Sequence, residues 1–400
     1  MRLPRECYQT RKTIETHLPH LSQPQLTGLA LWVCGAILAG SACQSAVAAA
    51  LSPRGSWNGL RQYLREWLYD GSDRARPCRT ELDVSLCFAP LLKWVLSWWR
   101  GDRLALAIDP TLKGDDTAAI VISVLYRGCA IPVAWRILRA KRPGGWMDPI
   151  VELLQALGPA VPEEMTVIVL CDRGLTSPKL WRQIRAQGWH PYVRYPKNIT
   201  FCAEGGRRLP AQSFVSRPDA AWVGSGTAFK GRAKRRCTLL VVWHTDQLEP
   251  WIILTDQPPE AVGVSWYALR FWIELGFKAI KSLGWQWDKT RRTDLARISR
   301  HWLVLSVATL LALAYGTRVE DAHERAIAPS QLRTPPHAPS PQQCGNPGHQ
   351  PARTVSVIRY GMNWLRRLLH QGRLWRRVWL LPEPWPEPGP NIQVIRHAPS

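Results

Sequence analysis

The sequence predicts an α/β protein: a mixed sheet, an all-helical segment ahead of it, and a β-strand insertion within it. Three observations carry this expectation. The first hundred residues are patterned for helices, short apolar runs joined by tight links begin at Arg103, and helical and strand patterns alternate from about Asp148. With 400 residues, 46% of them hydrophobic, the chain has material for two or three domains and a large core. The expected divisions are a helical domain over 1–100, a sheet-based domain over 101–320 with its insertion at about 197–263, and a tail over 321–400.

In the helical segment, Leu60, Leu64, Trp67 and Leu68 recur at helical spacing with basic residues between them. Such a segment suits either DNA binding or plain packing, and the residues leave both open. From Arg103 the chain changes character. Leu104 to Ile108 is an apolar run ending in Asp109-Pro110-Thr111, Ala118 to Tyr126 follows, and Arg127-Gly128 turns the chain into Cys129 to Leu138. That pattern predicts a three-stranded antiparallel meander. A helix over about 148–157 comes next, then an apolar strand from Met165 to Cys171 ending in Asp172-Arg173-Gly174, a helix over about 177–187 and a strand over 191–195. A meander followed by alternating helix and strand is the order of a ribonuclease-H-like fold, in which ligands sit at strand ends. The insertion shows strand patterns at 221–229, 237–244 and 251–254, before helices at about 264–283 and 294–315. Residues 327–352 are rich in Pro, Ser and Gln and read as a linker. A last helix over about 354–370 lies in an Arg-rich tail, and no acidic residue occurs between Arg325 and Pro382.

The net charge of +22 favours a polyanionic partner, nucleic acid before an anionic membrane surface. The ten cysteines are scattered with no Cys-x-x-Cys, which argues against a zinc ribbon or a dense disulfide framework and for reduced thiols in the cytoplasm. Cys344 and His349 form an isolated pair in the linker. Two apolar stretches, Leu29 to Gly40 and Trp302 to Gly316, fall short of the roughly 20 residues that a bilayer requires and are expected to be buried helices. No secretory leader pattern is seen near Met1.

The candidate chemistry lies in three carboxylates. Asp109 and Asp172 each end an apolar strand, where an Asp is more often a turn residue. Glu274 stands in an otherwise apolar helical stretch, Phe271 to Phe277, and a carboxylate there needs solvent or a partner. At 100° per residue, Tyr267, Arg270, Glu274 and Lys281 project at about 0°, 300°, 340° and 320°, one stripe about 60° wide. A solvated face with an Arg270–Glu274 pair would explain two of the four. A polynucleotide site would explain them all: the carboxylate holds metal, and the cations and phenol contact the strand. Three carboxylates suit two Mg²⁺ ions roughly 3.5–4 Å apart, which stabilise the attacking and leaving oxygens of an in-line phosphoryl transfer. No Ser/His/Asp or Cys/His arrangement is evident.

The spacing Tyr267-x2-Arg270-x3-Glu274-x6-Lys281 resembles the Y-(2)-R-(3)-E-(6)-K signature of bacterial insertion-sequence transposases of the DDE class, the large group named for insertion sequence four. Leu106-Ala107-Ile108-Asp109-x-Thr111, Val167 to Gly174, and Gly284-Trp285-Gln286-Trp287 with Thr290 are similar to other regions of that group. The resemblance covers about residues 20–316. It implies metal binding (Mg²⁺, with Mn²⁺ as a substitute) by Asp109, Asp172 and Glu274, and contacts of Tyr267, Arg270 and Lys281 with double-stranded DNA at the transposon's terminal inverted repeats. It also implies cut-and-paste transposition through a hairpin, transfer of the strand to target DNA, no membrane, and a dimer in the DNA synapse. A Trp of the insertion, Trp243 or Trp251, is a candidate for stacking on a flipped base, although a core role suits each better. The chain departs from the group at Ser177, where an aromatic is common. The other readings are a ribonuclease-H-like DNA nuclease and a catalytically inactive, transposon-derived DNA-binding protein.

Overall fold

The computed structural model describes residues 4–52, 57–70, 73, 81–141, 145–331, 355–374, 377–387 and 392–395. Most of the expected linker, with Cys344 and His349, lies outside the described residues.

Five helices come first: α1 (Arg5–His17), α2 (Gln23–Ala39), α3 (Gln44–Leu51), α4 (Trp57–Trp67) and α5 (Phe88–Trp98). Helix α2 is apolar all round and buried from Gly28 to Ile37, as such a helix must be. It starts on a capping box, Ser22 with Gln25, which satisfies two orphan backbone N–H groups.

The meander follows as β1 (Arg103–Lys113), β2 (Thr117–Tyr126) and β3 (Cys129–Arg139), paired antiparallel in order. Helix α6 (Met147–Leu157) leads to β4 (Thr166–Cys171), which lies parallel to β1. Helix α7 (Pro178–Ala186) leads to β5 (His190–Tyr195), parallel to β4. Strand β2 is buried at every position, which explains why it is apolar but for Thr117 and Ser123: helices cover both faces.

The insertion holds the expected three strands, β8 (Ala220–Ala228), β9 (Arg235–Trp243) and β10 (Trp251–Thr255), and two short ones ahead of them, β6 (Thr200–Ala203) and β7 (Arg208–Pro210). It continues the same sheet, since β10 pairs antiparallel with β5 and the order runs β3-β2-β1-β4-β5-β10-β9-β8-β6-β7.

Helix α8 (Phe271–Lys278) and the long α9 (Leu295–Gln331) come next. The segment Leu295–Ala322 is long and apolar enough to cross a bilayer, and 94% of its apolar window is buried inside the protein. Helices α2 and α3 meet that apolarity test only as a pair bent by 90°. Helix α10 (Val357–His370) packs on α9 so closely that an added Cβ on Gly361 would stand 1.6 Å from the Ala312 carbonyl oxygen.

The tail then crosses the molecule as a strap. The Leu380 N–H donates to the Trp98 carbonyl, and the Arg100 N–H donates to the Leu380 carbonyl. Arg127 reaches the Leu381 carbonyl and Glu320. Finally β11 (Gln393–Ile395) pairs parallel with the first residues of β8.

Candidate active site

Register puts the two aspartates side by side. Ile108 of β1 pairs with Cys171 of β4, so Asp109 and Asp172 both follow the last paired residues of neighbouring parallel strands. The third carboxylate comes from α8, which lies against β3. Gly276 permits that approach, because a Cβ there would stand 2.7 Å from the Ala130 Cβ.

One guanidinium gathers all three. Arg270 Nη2 donates to Asp109 Oδ1 at 3.0 Å and lies 3.8 Å from Asp172 Oδ2, while Nη1 donates to Glu274 Oε1 at 3.1 Å. The Arg270 and Asp109 side chains are each 15% exposed. Burial pushes the Asp109 carboxyl up to about 6; Arg270 opposes that rise, and Asp172 and Glu274 add to it. Burial also works against the charge on Arg270, but Asp109, Tyr267, Asp172 and Glu274 outweigh it and hold the guanidinium above its ordinary pKa. Three carboxylates around one cation leave an excess of two negative charges. Asp172 Oδ1 is buried without a hydrogen-bond partner, and Arg194 Nη1 is the nearby cation at 4.0 Å.

The expected helical stripe is only partly realised. A 3₁₀ turn over Trp266–Arg270 precedes α8, and a π turn over Ala279–Leu283 follows it. Residues three apart eclipse in such a turn, so Tyr267 stays on the side of Arg270, but its phenol points inward to a strand end and not to solvent. Tyr267 is 4% exposed, its hydroxyl donates to the Cys171 carbonyl at 3.2 Å, and its ring packs edge-on against Trp251. It therefore braces the strand end that carries Asp172. Lys281 lies in the π turn, half-buried, with no ion pair among the described residues. Trp251 also packs against His244, and the Trp243 indole N–H donates to the Gln247 carbonyl. Ser177 caps α7, accepting from the Lys179 N–H. Arg194 was not singled out from sequence; the available signal was its place at the end of a strand next to the one that carries Asp172.

The donor set suits a divalent cation. All three groups offer hard carboxylate oxygens, and the unpartnered Asp172 Oδ1 has a lone pair to give. Among the described residues, however, no group of three or more His, Cys, Asp or Glu side chains closes to metal-holding geometry, and Arg270 stands among the carboxylates.

No curated protein matches the chain. Among solved structures, a synaptic complex of the piggyBac transposase with hairpin DNA aligns at 11% identity and a TM-score of 0.40, covering 90% of this chain and 76% of that one. Residues 147–311 match a family model described as a transposase DDE domain. The matched segment starts after β3 and so leaves out Asp109, but it contains Asp172, Tyr267, Arg270, Glu274 and Lys281. This part of the chain, less than half of its length, is similar to a transposase DDE domain.

Proposed function

We propose that the protein is a DNA transposase of the DDE type, cutting DNA at the ends of its element and joining them to a target. The observation that carries this reading is the convergence of Asp109, Asp172 and Glu274 on one guanidinium where the pairing of β1 with β4 ends, Asp109 within β1 and Asp172 just after β4. The family match over residues 147–311 supports it. The order β3-β2-β1-β4-β5, with only β2 antiparallel to its neighbours, supports a ribonuclease-H-like core.

Asp109, Asp172 and Glu274 would hold Mg²⁺, two ions in this reading, with Mn²⁺ as a substitute. When bound, the ions supply the positive charge that in-line transfer at a phosphodiester requires. The chain supplies position. Tyr267 fixes the strand end beneath Asp172, the contact of Gly276 with Ala130 sets the height of Glu274, and Arg270 is the cation nearest the site for a phosphate oxygen. Lys281, with no ion pair among the described residues, is available to the same DNA strand. The partner is double-stranded DNA bearing the terminal repeats, bound by a dimer in a cytoplasmic, bacterial insertion-sequence setting.

One observation favours a second reading. The inward-facing Tyr267 removes from the surface one of the residues that would set a transposase apart from a nuclease of the same fold. Products separate the two. Purified protein with Mg²⁺ should nick a supercoiled plasmid at its own inverted repeats and yield joined target DNA. Cleavage without joined product would favour the nuclease, and no cleavage at all would overturn both.

A further inference from the structure

Beside the carboxylates lies a second charged group of opposite balance. Glu249, on the link between β9 and β10, is ringed by Arg173 at 3.2 Å, Lys197 at 3.5 Å and Arg194 at 3.6 Å. Three cations on one carboxylate leave an excess of two positive charges. Arg194 joins the two groups, since its other nitrogen lies 4.0 Å from Asp172 Oδ1. The site is therefore segregated, with carboxylates in excess around Arg270 and cations in excess around Glu249, and Arg194 bridging the two.

We infer that Arg173, Arg194 and Lys197 form a subsite for the phosphates of a DNA strand, and that Glu249 fills it when DNA is absent. The inference rests on the DNA reading above and adds the residues that take the strand next to the reacting centre. Its placement follows from the sheet. Val193 pairs with Cys171, so Arg194 stands level with Asp172, and Arg173 is the next residue after that aspartate. Divalent cations on the negative half and phosphates on the positive half would each meet charge of the opposite sign. Glu249 is 35% exposed, and Arg173 and Lys197 are each 57% exposed. Ion pairs that open to water are weak, so a polyanion can displace Glu249.

The test is binding of a short fluorescein-labelled duplex of arbitrary sequence, followed by anisotropy in EDTA across a salt series. Glu249→Gln removes the competing charge and should tighten binding about three- to tenfold. Arg173→Ala and Lys197→Ala, both at well-exposed positions, should each lower the salt slope by about 0.9. Unchanged slopes in both variants, or a Glu249→Gln affinity no higher than wild type, would overturn the subsite. Plasmid cleavage by the wild-type protein in Mg²⁺ separates the two levels. Intact cleavage with unchanged slopes rejects the subsite alone, whereas absent cleavage rejects the function on which it rests.

Discussion

Replacing Asp109 by Asn should stabilise the metal-free protein at neutral pH while abolishing its cleavage activity. Burial is the main reason that the Asp109 carboxyl is pushed from an ordinary 3.8 up to about 6, and its side chain is only 15% exposed. A shift of about two units corresponds to roughly 3 kcal/mol. The sign follows from proton linkage. The folded pKa lies above the unfolded one, so between about pH 4 and 6 the folded chain keeps a proton that the unfolded chain has released. Stability therefore falls as pH rises through that window, and the penalty is complete above it. Asn has no proton to lose and escapes the penalty. Urea denaturation in EDTA, followed by tryptophan fluorescence, should show Asp109→Asn more stable by up to about 3 kcal/mol near pH 7.5, with the gap closing near pH 4. Added Mg²⁺ should stabilise wild type, by about 2.7 kcal/mol at a hundredfold excess over Kd, and leave the Asn variant unmoved. A variant no more stable than wild type at neutral pH, or a gap independent of pH, would refute this account of the site.

Other outcomes follow from the same geometry. Asp172→Asn and Glu274→Gln should each abolish plasmid cleavage while changing duplex affinity little, because half-exposed charges are worth under about 1 kcal/mol; cleavage and anisotropy on one preparation check this. Gly276→Val forces a side chain into Ala130, should cost about 1–3 kcal/mol through overpacking, and should depress cleavage by lifting Glu274 away from the aspartates. Tyr267→Phe removes the bond to the Cys171 carbonyl and should cost about 1 kcal/mol in denaturation, with duplex affinity unchanged; a clear loss of affinity would mean that the phenol touches DNA.

Strands were easiest to read where burial on both faces wrote a nearly continuous apolar run, as in β2 and β4, and helices where an apolar stripe was bounded by turns. The carboxylates were legible for a related reason: a charge that closes an apolar strand or interrupts an apolar helix is conspicuous. The stripe argument placed Arg270 and Glu274 together, and they do pair across the join between the 3₁₀ turn and α8. It did not foresee the burial of Tyr267 against the Cys171 carbonyl, because an angular projection gives the direction of a side chain and not what it packs on. Glu249 was invisible for another reason. A surface carboxylate in a polar link has no local signature, and only the folded sheet brings it to Arg173, Arg194 and Lys197. The strands β6, β7 and β11 are too short to show a period, and the strap relies on backbone pairing that any sequence can make. The reading of residues 321–400 as a tail did not foresee that α10 is packed against α9 and that Leu380 is fully buried.

The pairing of β11 with β8 has a consequence for how the chain reaches its fold. Residues 220–222 wait for partners at 393–395, and all of β9, β10, α8, α9 and α10 must be made in between. Until then that stretch of β8 presents open backbone N–H and C=O groups to its surroundings, the kind of edge on which a neighbouring chain can assemble. Folding of the insertion is thus coupled to contacts of very long sequence separation, which form slowly. Crowded synthesis, where several copies emerge together, is the circumstance in which this fold is most exposed to mispairing.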